Sequence, residues 1–97
     1  MNRDEEIVKV LEGRDLSSIE FVSTYWQLRF DGPQLNVINY PKLMVDGVSW
    51  INYDEKEFCY FLLKCIGLYV DKVNFKNEFY LEIQFQNKFI FLCFYGI

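Results

Sequence analysis

Residues 67–75, GLYVDKVNF, repeat the apolar spacing of residues 13–21, GRDLSSIEF, and this correspondence decides how the chain is read. With Gly67 laid on Gly13, Val70, Val73 and Phe75 fall on Leu16, Ile19 and Phe21. A one-residue slip then sets Ile83 and Phe85 on Leu28 and Phe30, and its reversal sets Phe89 and Phe91 on Leu35 and Val37. Apolar positions, turns and a preceding helical stretch recur in the same order, which is the mark of a repeated structural unit.

Working outward, the first unit spans 3–40. A helix is expected over 3–12, with Ile7, Val8, Val10 and Leu11 as its apolar stripe, acids in its first turn, Asn2 or Asp4 as cap and Gly13 as its stop. Strands are expected at Leu16–Ser23, Tyr25–Asp31 and Leu35–Tyr40, the last ended by Pro41, which cannot donate to a ladder. Gly32-Pro33 marks the turn between the second and third strands. The connector, 41–53, is the least regular stretch, and Asp46-Gly47 within it signals a small hairpin or loop. The second unit, 54–95, opens on Asp54-Glu55-Lys56-Glu57, an acid three residues ahead of a Glu, as at a helix N-cap. Phe58, Phe61, Leu62, Cys65 and Ile66 share one helical face and Gly67 ends it. Strands follow at Tyr69–Lys76, Phe79–Phe85 and Phe89–Tyr95.

The predicted fold is therefore α+β: a tandem duplication of a helix plus a three-stranded β-meander, giving a six-stranded antiparallel sheet with two helices on one face. Two small sheets packed together are the alternative. The last strand is unusual, because Ile90, Leu92 and Phe94 make its second face as apolar as its first. That predicts burial on both faces or a homodimer contact through the C-terminal strand.

Ninety-seven residues suit a single domain. Half the chain is apolar and a fifth aromatic, which excludes disorder and suits half-buried strands. The longest wholly apolar run, Phe89 to Tyr95, is far short of the roughly 20 residues a spanning helix needs. The N-terminus is acidic and lacks an apolar signal core, so a cytoplasmic protein is expected with no membrane partner. Three cysteines make an odd count without a C-x-x-C pair, and are read as reduced core thiols. The net charge of −4 argues against nucleic-acid binding. The acidity sits in residues 1–55, where ten acids face five bases.

Catalytic chemistry is poorly served. The chain has no histidine, which removes a Ser-His-Asp triad, a Cys-His pair and His-ligated metal. Its five glycines form no phosphate-binding loop, and the cysteines lack zinc-ligand spacing. Carboxylates remain, but Asp31, Asp46, Asp54, Glu55 and Glu57 lie near turns or a helix start, where acids have structural roles. An enzyme is not expected, nor any cofactor or metal. Exposed aromatics beside acids fit a protein partner better. Trp26, in register with Leu28 and Phe30, reads as core. Trp50 and Tyr53, in the connector, are candidate anchors.

The segment LEGRDLSSIEFV (11–22) followed by YWQLRFDGP (25–33) resembles a group of small uncharacterised bacterial proteins, with a second helix ending at Gly67. The resemblance is one of layout over most of the chain, and proteins of this size and charge are frequently immunity proteins of contact-dependent growth inhibition and polymorphic-toxin systems. It implies a protein that binds and neutralises one cognate toxin, and it carries over no residue roles. A nuclease toxin with a basic cleft suits an acidic inhibitor. The partner-binding candidates are then Asp31, Asp46, Asp54, Glu55 and Glu57 for charge, with Trp50 and Tyr53 as anchors. A self-associating structural domain and a small-ligand module are the alternative functions.

Overall fold

The computed structural model describes residue 6 and residues 9–22, 25–77 and 80–96. Seven strands and one helix are defined among them: β1 (Ser18–Val22), β2 (Tyr25–Arg29), β3 (Gln34–Met44), β4 (Trp50–Asn52), α1 (Lys56–Leu63), β5 (Val70–Asn77), β6 (Tyr80–Phe85) and β7 (Ile90–Gly96). The six-stranded sheet with two helices is thus overturned. Of the helix expected over 3–12, Glu6 and Lys9 are helical and Val10–Gly13 form turns, while 1–5 and 7–8 lie outside the described residues, as do the caps Asn2 and Asp4. The connector supplies the extra strand.

Strand order is β1-β2-β3-β7-β6-β5, all antiparallel, with β4 paired to β3 off this path. Long β3 is the organiser. It belongs to a three-stranded set with β2 and β1, and to a five-stranded set with β4, β7, β6 and β5. Along one edge it pairs first with β2, through residues 34–38, and then with β4, through 42–44. Its other edge belongs to β7.

The strand expected to stop at Tyr40-Pro41 runs on to Met44, because a register break between Ile38 and Lys42 accommodates the proline. Residues 39–41 stand opposite Cys93 alone. The two extra residues are an even number, so they leave the alternation of faces intact. Leu35, Val37 and Leu43 therefore all face inward and are buried.

The interior is apolar throughout the described residues. Leu28, Leu35, Val37, Leu43, Val73, Leu81, Ile83, Phe85 and Phe91 from the strands meet Phe58 and Leu62 from α1. Phe58 stands against both Trp26 and Phe91, with ring centroids 5.9 and 6.3 Å apart. The N-cap of α1 is Glu55, one residue later than expected, and its side chain does not cap the helix. Its Oε2 accepts instead from the Asn52 N–H at 2.7 Å. Gly13 and Gly67 both adopt left-handed backbone, with φ of 84° and 92°.

The two ends of the strand order meet. Residues 13–16, just ahead of β1, run antiparallel to residues 67–70, which lead into β5, with Asp15 opposite Tyr69. The Gly13 amide donates to the Val70 carbonyl (2.8 Å) and the Leu16 amide to the Leu68 carbonyl (2.9 Å). In return, Gly67 donates to Leu16 (2.7 Å) and Val70 to Arg14 (2.9 Å). These reciprocal bonds latch the curled sheet shut.

Candidate functional site

The candidate residues fall in the β3–β4 hairpin, the β4–α1 turn and the first turn of α1, with Asp31 apart from them. Asp46 sits in the β3–β4 loop, whose Gly47 has φ of 78°. Its Oδ1 accepts from the amides of Ser49 (2.8 Å) and Val48 (2.9 Å), closing the turn that Asp46-Gly47 signalled. Those two amides, Ser49's first, hold its carboxyl below the usual range, so the exposed group is a firm carboxylate.

Trp50 follows directly. Antiparallel pairing puts it beside Met44, and Met44 beside Ile90. Their neighbours Ile51, Leu43 and Phe91 form the inward row, so Trp50, Met44 and Ile90 make a half-buried apolar row on the outer face. Trp50 is therefore a surface aromatic packed along one side, as an anchor requires. Tyr53, Asp54 and Glu55 occupy the turn between β4 and α1, and Glu57 lies in the first turn of α1; all four are exposed. Six of the seven candidates thus form one continuous stretch, 46–57.

Asp31 does not join them. It stands in the β2–β3 turn at the opposite end of β3, with φ of 55° followed by Gly32 at 126°. The Phe30 amide closes that turn on the Pro33 carbonyl at 2.8 Å, and Arg14 Nη1 donates to the Asp31 carbonyl at 3.2 Å. A two-residue hairpin turn needs positive φ at its centre, which Asp tolerates. Its role is conformational.

The C-terminal strand is paired on both edges, by β3 and β6, which closes it to strand addition. Its second apolar face is partly sheltered: Leu92 is buried, in register with Lys42 on β3 and Glu82 on β6. The core-thiol reading holds for Cys65 and Cys93, and fails for Cys59, which is exposed on α1. Burial pushes the Cys65 thiol up to about 12 and raises that of Cys93 as well, so neither is a nucleophile near neutral pH. Among the described residues no group of His, Cys, Asp and Glu is arranged to hold a metal, and no polar or charged side chain is buried. No described helix is long and apolar enough to cross a membrane.

Sequence reasoning missed Lys9 and Glu12. Glu12 Oε2 accepts from the Val73 amide (2.8 Å) while Lys9 Nζ donates to the Val73 carbonyl (2.7 Å), and the two side chains pair at 3.3 Å. No local pattern announces a contact between residues so far apart in the chain. No protein-family model, no curated protein and no solved structure matches the chain.

Proposed function

We propose that this chain is a cytoplasmic immunity protein, which binds one cognate bacterial toxin and neutralises it by laying an acidic surface over a basic cleft. A nuclease is the toxin class that chemistry suits best. The observation that carries the reading is the single stretch 46–57, which in sequence sets exposed Asp46, Asp54, Glu55 and Glu57 on either side of half-buried Trp50 and exposed Tyr53. Acids on a rim steer a basic partner, and a large aromatic packed beside Met44 on the outer face supplies desolvated contact area. Asp46 and Glu55 each hold a local turn, so the charged groups are presented by fixed backbone rather than by loose side chains.

The test is calorimetry of the full chain against the catalytically inactivated product of the neighbouring upstream gene, at two salt concentrations. One-to-one nanomolar binding that weakens with salt is expected. Trp50→Ala should weaken it roughly tenfold or more. Asp46→Asn retains the Oδ1 acceptor and removes only charge, so it should slow association while leaving the turn in place. No complex, or a complex indifferent to salt and to both substitutions, overturns the proposal.

A further inference from the structure

Residues 58–63 read Phe-Cys-Tyr-Phe-Leu-Leu, six apolar side chains in succession, and they fill most of the eight-residue α1. A helix apolar on every side belongs in an interior, yet α1 is covered on one side only. Phe58 and Leu62 are fully buried, and Phe61 lies against Phe89 with ring centroids 6.0 Å apart. At about 100° of turn per residue, Tyr60 stands opposite Phe58 and Leu62, with Leu63 and Lys56 beside it. Tyr60 is 59% exposed and Leu63 55%. Exposed Cys59 borders this face on one side. On the other stand Glu57, in the first turn, and Lys64, at the C-cap.

Tyr60 is held in place. Its ring meets that of Phe61 at 5.1 Å in a T-shaped contact, and Lys64 Nζ lies over it, 4.7 Å from the centroid. Contact with an aromatic face leaves the charge of Lys64 without a counter-ion. Among the described residues, no ion pair involves the Lys64 ammonium or the Glu57 carboxylate. The exposed face therefore carries an unpaired acid at its N-terminal end, an unpaired base at its C-terminal end, and Tyr60 and Leu63 between them. Such an order is its own complement when reversed.

We propose that α1 pairs with α1 of a second copy of this chain, antiparallel, about a two-fold axis that passes between Tyr60 and Leu63. Tyr60 packs on Leu63 of the second copy, and Leu63 on its Tyr60. Glu57 and Lys64 are two helical turns apart, so the same register brings Glu57 beside Lys64 of the second copy, and Lys64 beside its Glu57. Opposed helix directions also let the two dipoles attract. A parallel pair sets Glu57 against Glu57 and Lys64 against Lys64, and loses both gains. An unrelated partner has no need of charges mirrored about the middle of the face, whereas a second copy requires them. Two short helices bury little surface, so the pair is weak and depends on concentration. The proposal does not rest on toxin binding. Glu57 serves both surfaces, however, so a toxin seated on 46–57 would compete with the pair.

The experiment is analytical sedimentation of the full chain without any toxin, with reductant present because Cys59 is exposed. The mean mass should rise with concentration across the micromolar range, toward that of two chains. Glu57→Lys and Lys64→Glu each turn both charged contacts into repulsions, and each should weaken pairing roughly tenfold. The double variant Glu57→Lys/Lys64→Glu exchanges the signs at both contacts and should recover most of the parent's affinity. An equimolar mixture of the two single variants should pair as well, each choosing the other over itself. Leu63→Ser should abolish pairing. All three side chains are exposed, so the fold should stand, and melting curves check it. If one reversal does not fold, the other and Leu63→Ser still decide the matter: pairing that neither weakens overturns the proposal. A mass independent of concentration overturns it too. So does pairing that the single reversals weaken and neither the double variant nor the mixture restores.

Discussion

Glu12 reaches across 61 positions of sequence to the backbone of Val73, and that bond is the chief reason its carboxyl titrates below the ordinary value of 4.5. Lys9 adds a hydrogen bond and an attractive charge. A carboxyl depressed in the folded state stabilises fully above its unfolded pKa and loses that contribution as pH falls through the folded one. Glu12→Gln should therefore be less stable than the parent in urea melts at pH 7, with the gap closing as pH is lowered below 4.5. An undiminished gap at the acid end would mean that packing, not charge, holds this contact. Asp46 is the opposite case in legibility. Its acceptors' partners, Val48 and Ser49, are two and three residues away, so the turn could be read from Asp-Gly alone, whereas nothing around Glu12 names its target.

At the scale of elements, α1 is held by Phe58, whose ring is fully buried between Trp26 and Phe91. Phe58→Ala should cost about 3–5 kcal/mol, read from urea unfolding followed by tryptophan fluorescence, because both the burial and the space left behind count against the fold. A loss under about 1 kcal/mol would show that the helix is only loosely seated. The strands were legible, since alternation of Leu28, Phe30, Leu35 and Val37, and of Leu81, Ile83 and Phe85, is a period-two signal that burial obeys. Proline misled the reading of β3, because a bulge can absorb the missing donor without turning the strand over. The connector misled it too, since three residues, Trp50–Asn52, are too few to show alternation. That the candidates in 46–57 adjoin one another follows from their contiguity in sequence, whereas Asp31's place at the far end of β3 follows only from how that strand is laid.

For the whole molecule, the decisive partnerships are remote ones: β3 with β7, and residues 13–16 with 67–70. Periodicity names which side chains turn inward but not which strands become neighbours, so strand order and the latch were beyond reading. Contacts of such long range also mean folding on the millisecond-to-second scale typical of β-rich domains. The latch and β3–β7 pairing have one more consequence, for a broken chain. Val48, 80% exposed in the β3–β4 loop, marks the natural place for a protease to cut. A cut between Gly47 and Val48 yields two pieces, one with β1–β3 and the other with β4–β7, and neither encloses a finished interior. Each needs the other's ladder, so the nicked protein should still migrate as one species on gel filtration and come apart only in denaturant. Integrity of this molecule resides in its pairing, and an unbroken covalent thread is dispensable to it.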